Sequence, residues 1–286
     1  MRIVTTTSVF EPGYPAEEAT DRLKRLGFEA QDMALDFWQS APDSPFMGKE
    51  YLKWASALRD RAERAAVPYT HSHAPSEAGE DPIVERSLRA ASALGAGYMV
   101  LYPVCGRNGK YFDDEKIFIE ENKRAIAPWL DTARACKVVI LSENLLWGPS
   151  RDPRVIAELV SQVGSEWFQW CYDTGHANCF GFHPEILTEC AVAPASLHLQ
   201  DNHGDERDEH LIPSDGSVDW NALTDTLRRI GYSGDCVLEA HHQSLFAPDA
   251  ERDAILTRLL SRARLLRDRI EGKNLDGSNA RRSVYP

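Results

Sequence analysis

The sequence predicts an α/β fold, a single-domain (β/α)8 TIM barrel, from three features. Short apolar, β-favouring runs alternate with segments in which apolar residues recur every three or four positions. Eight such runs occur in 286 residues, a length that suits one barrel followed by a short tail. No glycine-rich nucleotide fingerprint follows the first run, so a doubly wound open sheet is the second choice.

The predicted strands are the runs that combine aliphatic, β-branched and aromatic residues. In chain order they cover residues 2–7, 28–35, 67–73, 97–103, 137–144, 168–173, 196–201 and 235–241. The predicted helices lie between these runs, because their apolar residues fall on one helical face. They cover residues 16–26, 48–66, 81–94, 115–136, 152–164, 218–230 and 249–271, with a shorter helix at 183–190.

Several junctions carry residues that typically begin or end helices. Gly27, Gly95 and Gly231 each follow a helical pattern, where a left-handed C-cap favours glycine. Ser217 or Asp219 offers an N-cap for the helix that begins near residue 218.

The sequence also predicts one domain in a reducing compartment. The barrel spans residues 1–272, and residues 273–286 form a polar C-terminal tail or arm. Six cysteines are scattered, without the spacing of a zinc site or of a disulfide framework. This pattern indicates reduced thiols and a cytoplasmic protein.

Composition and charge limit the classes of molecule that the protein is expected to bind. The chain is 43% hydrophobic and 27% charged, as is usual for a globular domain. Its formal net charge of −12 counts against nucleic acid as a partner, since such binding depends on clustered cations. The N-terminal apolar run is too short for a signal peptide, and no stretch approaches a membrane span. We therefore expect no membrane partner.

Polar residues end four consecutive predicted strands. We call them the strand-end cluster: Glu143 in "LSEN", Asp173 in "CYD", His198 in "LHLQD" and Glu239 in "LEAH". In a barrel the carboxyl ends of the strands meet at one mouth, where active sites lie. Two Glu, one Asp and one His suit a cation such as Mn²⁺, Mg²⁺, Co²⁺ or Zn²⁺. Each residue alone could be a turn former or helix cap, so the prediction depends on four strands ending alike.

Four segments of the second half carry a family pattern. They are "LSENL" (141–145), "YDTGHAN" (172–178), "LHLQDNHGDERDEHLIPSDGSVDW" (197–220) and "IGYSGDCVLEAHH" (230–242). The pattern resembles the xylose isomerase-like TIM barrel superfamily, within the sugar phosphate isomerase/epimerase family, which is related to type IV AP endonucleases. In the first half of the chain, the features that match this family are the order of the strands and the segment "YTHSHAP" (69–75).

The resemblance implies a cation site and two catalytic residues. All four members of the strand-end cluster fall where the family binds its divalent cation, which could be Mn, Mg, Co or Zn. Glu143 and Glu239 would flank the substrate on opposite faces and act as catalytic acid and base.

The resemblance further implies contacts with the substrate. Three residues would supply them: His176, His73 and Arg207. His71, two residues before His73, is the other candidate at the mouth end of the third strand. Asp208 and His210 would order their loop or extend the shell around the metal, or bind an extra metal.

The implied reaction is isomerisation or epimerisation of a small sugar, ketose or polyol-derived ketone through an enediolate. One Glu removes the proton beside the carbonyl, and the other returns it. Return to the same carbon gives an epimer, and return to the neighbouring carbon gives an isomer. Loss of a β-hydroxyl would instead give dehydration, as in inosose dehydratases of the same group. The expected partner is a sugar or polyol substrate, and a homo-oligomer is left open.

Two alternatives come from the same fold. A type IV AP endonuclease needs three zinc ions, and His176, Asp208 and His210 match part of its ligand set. Tyr102, however, stands where a bridging His would be expected. A non-catalytic sugar-binding barrel is the other alternative, but it would not need two opposed glutamates.

Overall fold

The structure, a computed structural model, describes residues 1–41, 43–78 and 82–273. The predicted tail, apart from Lys273, lies outside the described residues. So does residue 81, the first residue of the predicted helix 81–94.

Eight parallel strands close into the predicted barrel, in the order in which they occur along the chain. They are β1 (Ile3–Thr6), β2 (Ala30–Ala34), β3 (Tyr69–Glu77), β4 (Tyr98–Tyr102), β5 (Val139–Glu143), β6 (Phe168–Asp173), β7 (Ser196–Leu199) and β8 (Cys236–Leu238). Every predicted strand is present. The last is shorter than predicted, because Glu239 and the residues after it leave the sheet.

Long helices cover the outside of the barrel, and short helices follow several strand ends. They are α1 (Ala16–Leu26), α2 (Leu35–Ser40), α3 (Tyr51–Ala65), α4 (Pro82–Leu94), α5 (Glu115–Ile126), α6 (Leu130–Cys136), α7 (Pro153–Val163), α8 (Thr174–Cys179), α9 (Trp220–Arg229), α10 (His242–Leu245) and α11 (Asp249–Ile270). In the described residues, 3₁₀ turns lie at Thr7–Val9, Ala127–Trp129, Gly148–Arg151 and Pro184–Thr188, and a small hairpin pairs Gly106–Arg107 with Lys110–Tyr111. Among the described helices, none is both long and apolar enough to cross a bilayer.

The structure corrects two predicted helices. The single helix predicted at 115–136 is divided by the 3₁₀ turn Ala127–Trp129, because Pro128 has no N–H to continue the helical hydrogen bonds. The helix predicted at 183–190 is the 3₁₀ turn Pro184–Thr188. The predicted junctions are confirmed where glycine is needed, since Gly27 has φ 95° and Gly95 has φ 82°.

Strand alternation places the strand-end cluster above a buried layer of the barrel interior. Side chains two residues apart on a strand point to the same face. Leu141, Cys171 and Val237 therefore lie one layer below Glu143, Asp173 and Glu239, and all three are fully buried. The register of β6 and β7 pairs Asp173 with His198, which brings the cluster to one level. The floor of the site is therefore apolar below the three carboxylates, whereas Ser196 lies below His198.

Candidate functional site

The structure brings the four predicted cation ligands together. One potential ligand atom from each member of the strand-end cluster lies within 4.8 Å of the others. Nδ1 of His198 is 2.8 Å from Oε1 of Glu143 and 3.3 Å from Oε2 of Glu239. All four side chains are buried. Four strands therefore deliver three carboxyl groups and one imidazole to a single point.

Asp173 uses only one of its two oxygens for hydrogen bonds. It is the N-cap of α8, and its Oδ1 accepts the backbone N–H of His176 at 2.6 Å. The same Oδ1 accepts Nε2–H of Gln200 at 3.1 Å. Oδ2 is buried without a partner among the described residues. The capping interaction thus sets the direction of the free oxygen.

The donor set fits a divalent cation. Oε2 of Glu143 and Oδ2 of Asp173 are both buried without hydrogen-bond partners in the described part of the chain. Buried polar atoms in proteins are normally paired, so two unpaired carboxylate oxygens in one cluster favour a bound ligand. Carboxylate oxygens and an imidazole nitrogen are ligands that Mn²⁺, Co²⁺ and Zn²⁺ accept.

The charges in the strand-end cluster also favour a bound divalent cation. Burial raises the pKa of Asp173 to about 7, and the nearby carboxylates of Glu143 and Glu239 add to this effect, while His176 opposes it. Burial would likewise raise the pKa of Glu239, but His198 and then His73 hold it well below its usual value. A bound cation would offset the repulsion among the carboxylates.

A second cluster lies beside the first. It consists of His176, Asp208 and His210, with potential ligand atoms within 4.8 Å of one another. Oδ2 of Asp208 is 2.9 Å from Nε2 of His210 and 3.4 Å from Nε2 of His176. Burial alone would raise the pKa of Asp208, but the two imidazoles hold it well below the usual range. His176 also lies 3.5 Å from Glu143, so it borders both clusters.

Of the two histidines predicted on β3, His73 faces the strand-end cluster. Its Nδ1 lies 3.1 Å from Oδ2 of the buried Asp32, and its Nε2 lies 3.4 Å from Oε1 of Glu239. Its ring stacks on His198 with centroids 4.9 Å apart. His71 lies one layer deeper, where its ring nitrogens contact Thr70 and Ser196. Only His73 is therefore placed to reach a molecule at the cluster.

Arg207 is placed on the surface of the loop that follows β7. Its side chain is 67% exposed and forms ion pairs with Asp205 and Glu209. Neither partner belongs to the strand-end cluster or to the second cluster. A role of Arg207 in holding substrate stays a prediction.

A buried aspartate anchors that loop. Oδ1 of Asp201 accepts the backbone N–H of Asn202 and of Val218, at 2.9 and 3.0 Å. Its Oδ2 accepts the N–H of Ser214 and the indole N–H of Trp220, both at 2.8 Å. Residues 202–219, which carry Asp208 and His210, are therefore tied back to the end of β7.

Sequence reasoning missed several polar residues that organise the site. Asn144 forms a reciprocal pair with the backbone of Asp173, at 2.8 and 3.0 Å. Asp32 contacts His73, and Gln200 contacts both clusters. "LSEN" and "LHLQD" place Asn144 and Gln200 within two residues of predicted ligands, but closeness in sequence does not say which partner a side chain contacts.

Comparison with known proteins identifies the family. The model of the xylose isomerase-like TIM barrel family matches residues 20–262. The chain belongs to the xylose isomerase-like TIM barrel family. The resemblance inferred from the sequence is thereby confirmed.

Relatives of this family member occur in mycobacteria. An uncharacterised protein of Mycobacterium leprae is 25% identical over 88% of this chain and 93% of its own length. An uncharacterised protein of Mycobacterium tuberculosis is 24% identical over the same shares of the two chains.

Solved structures share the fold. A zinc-bound IolI protein superposes with a TM-score of 0.74 at 15% identity, covering 96% of this chain and 100% of that one. D-psicose 3-epimerase gives a TM-score of 0.69 at 15% identity, covering 93% and 99%. The 3-keto-D-glucoside 4-epimerase from E. coli gives 0.68 at 18% identity, covering 91% and 99%. At such identities the likeness concerns the barrel fold.

Proposed function

We propose that this xylose isomerase-like barrel binds one divalent cation and isomerises or epimerises a small, uncharged sugar or polyol-derived ketone. The observation that carries the proposal is the pair Glu143 and Glu239, which come from different strand ends and both approach Nδ1 of His198 within a buried donor set. Sugar epimerases among the structures with this fold support the substrate class.

The two glutamates would perform the proton transfers. A bound divalent cation would polarise the substrate carbonyl and make the neighbouring C–H more acidic. One glutamate then removes that proton, and the other returns a proton to the planar enediolate. Because they come from β5 and β8, on different sides of the barrel mouth, they can act on different faces of a substrate between them. His73 and His176 would donate hydrogen bonds to substrate oxygens.

The charges of the site favour a neutral substrate. In the described part of the chain, the members of the two clusters form ion pairs with one another and with His73. In each of these pairs the cation is a histidine. A phosphate or carboxylate would meet several carboxylates here without a lysine or arginine to balance it. Hydroxyl groups, in contrast, can donate to these carboxylates.

The test is a panel of ketoses, aldoses and inososes in D2O, run in parallel with Mn²⁺, Co²⁺ and Mg²⁺. We expect solvent deuterium at carbon in the product of at least one compound. Glu143→Gln and Glu239→Gln should each lose about 10²- to 10⁴-fold in rate, as expected for a proton-transfer group. Glu166→Gln, at an exposed position before β6 at the other end of the barrel, is the matched control.

Three outcomes would change the proposal. If the product has lost one molecule of water relative to the substrate, the protein is a dehydratase in which the same two glutamates act. No deuterium uptake across the panel would remove the enediolate mechanism. Normal turnover of Glu239→Gln would remove that residue from its role.

The second cluster favours one further candidate, a metal-dependent phosphodiesterase of the AP endonuclease type. Its His176, Asp208 and His210 provide a second group of potential ligands beside the first. Against it stand the net charge of −12 and Tyr102 in place of the expected His. Elemental analysis separates the two: about one metal per chain supports the isomerase, and about three zinc ions with cleavage of an abasic duplex support the nuclease.

A further inference from the structure

Gln200 lies between the two clusters and contacts both. Its side chain is fully buried, and its Nε2 lies 3.1 Å from Oδ1 of Asp173 and 3.0 Å from Oδ1 of Asp208. A carboxamide has two N–H groups, so one nitrogen can donate to both carboxylates at once. Gln200 is thus a direct link between a predicted cation ligand and the loop after β7.

Gln200 and the N-cap interaction together determine which oxygen of Asp173 is free. Oδ1 receives N–H groups from both Gln200 and His176, whereas Oδ2 has no partner in the described residues. Without the amide, the carboxylate would lose one of the two donors that hold it in this orientation. Only the backbone N–H of His176 would then hold the carboxylate, and its free oxygen would be less firmly directed to the strand-end cluster.

The surroundings of Gln200 are shaped for this side chain. Its backbone N–H donates to Oγ1 of Thr174 at 3.1 Å, and the Thr174 hydroxyl donates to the Gln200 carbonyl at 2.6 Å. A Cβ at Gly175 would lie 2.0 Å from Oε1 of Gln200, so only glycine leaves room for the amide. Oε1 itself is buried without a partner in the described chain, a cost that the two hydrogen bonds of Nε2 offset.

We propose that Gln200 is a positioning residue that orients Asp173 for cation binding and couples Asp173 to Asp208. The inference rests on the proposed function, since it requires a cation at the strand-end cluster. Loss of a group that orients a metal ligand typically costs about 10- to 100-fold in metal affinity.

The test is isothermal titration of the full chain with Mn²⁺. Gln200→Met keeps the length of the side chain but removes the donor, and we expect Kd for Mn²⁺ to rise about 10-fold or more. Gln200→Asn keeps the amide but shortens the reach, and it should weaken binding in the same direction. Gln169→Met is the matched control, because Gln169 is on the same strand as Asp173 but bonds Ser165 at the opposite end.

Gly175→Ala tests the position of the Gln200 side chain without changing Gln200 itself. Alanine normally favours a helix over glycine, so a purely local effect would raise Tm and leave Mn²⁺ binding unchanged. If the added methyl group displaces the Gln200 amide, Mn²⁺ affinity falls instead. Unchanged affinity would count against the proposal.

A double-mutant cycle tests the coupling. The effect of Gln200→Met on Kd should be smaller in an Asp208→Ala background, because Gln200 is then held by only one carboxylate. Additive effects would overturn the coupling. If Gln200→Met and Gln200→Asn bind Mn²⁺ with the Kd of the wild-type chain, the positioning role alone is overturned. If the wild-type chain itself binds no Mn²⁺, the proposed function and this inference are overturned together.

Discussion

His73 and Asp32, from neighbouring strands, form a buried pair with 3.1 Å between Nδ1 and Oδ2. The contact leaves Nε2 of His73 directed toward Glu239, 3.4 Å away. The orientation of the imidazole is therefore set by a residue that does not itself touch the strand-end cluster. Asp36, in the first turn of α2, is a half-buried carboxylate on this side of the site.

Removal of Asp32 should misplace His73. We expect Asp32→Ala to lower kcat by up to about 100-fold, since a small displacement of a group near the reacting atoms is costly. Asp32→Asn, which still offers an acceptor oxygen to Nδ1–H, should retain more activity. Steady-state kinetics on the substrate found in the panel would measure both, with Asp131→Ala on the surface as control. Equal activity of the alanine and asparagine variants would contradict the prediction.

Cation binding should stabilise the fold. A ligand that binds only the native state at 100 times its Kd adds about 2.7 kcal/mol to the free energy of unfolding. We therefore expect Mn²⁺ to raise Tm and EDTA to reverse the rise. Asp173→Asn and Glu143→Gln should abolish the shift, because each removes a charged donor from the strand-end cluster. A Tm rise of wild-type size in either variant would show that Mn²⁺ binds elsewhere.

Asp201 should be required for the order of the loop after β7. Asp201→Ala would leave four donors, three of them backbone N–H groups, without their buried acceptor. We expect a loss of roughly 3 kcal/mol or more in the free energy of unfolding, since each unpaired buried group costs about 1–3 kcal/mol. Hydrogen exchange should accelerate across residues 202–219. Asp205→Ala on the same loop, at an exposed position, should change neither quantity.

Buried His71 should make the fold sensitive to acid. Burial lowers the pKa of His71 from 6.5 to about 4, although Asp32 opposes the shift. Between pH 6.5 and 4 the unfolded chain binds a proton here that the folded chain does not, so stability falls as the pH falls through this window. The loss amounts to roughly 3 kcal/mol at the acid end. His71→Gln should flatten the dependence of unfolding free energy on pH, measured by urea unfolding.

The matched control for this prediction is His183→Gln. His183 is 55% exposed, so His183→Gln removes a histidine from the surface instead of the barrel interior. A wild-type slope in His71→Gln would mean that other groups cause the acid sensitivity.

The strands, the barrel and the four strand-end residues could be predicted because they depend on local pattern. Eight apolar runs mark eight strands, and parallel strands in a barrel place their carboxyl ends at one mouth. Pro128 was the local signal that could have divided the helix predicted at 115–136. The short helices α2, α8 and α10 were missed, since four to six residues show too little periodicity.

The sequence by itself determined the fold, the family and the residue types at the mouth. The spacing of apolar residues and the residue types at strand ends can both be recognised from residues that are neighbours in the chain. Only the tertiary structure decided which histidine of β3 faces the cluster, which oxygen of Asp173 is free, and that Gln200 joins Asp173 to Asp208. These features depend on contacts between side chains from different strands and loops. The physical reason is that a hydrogen bond is specified by distance and direction in space, and the linear pattern contains neither.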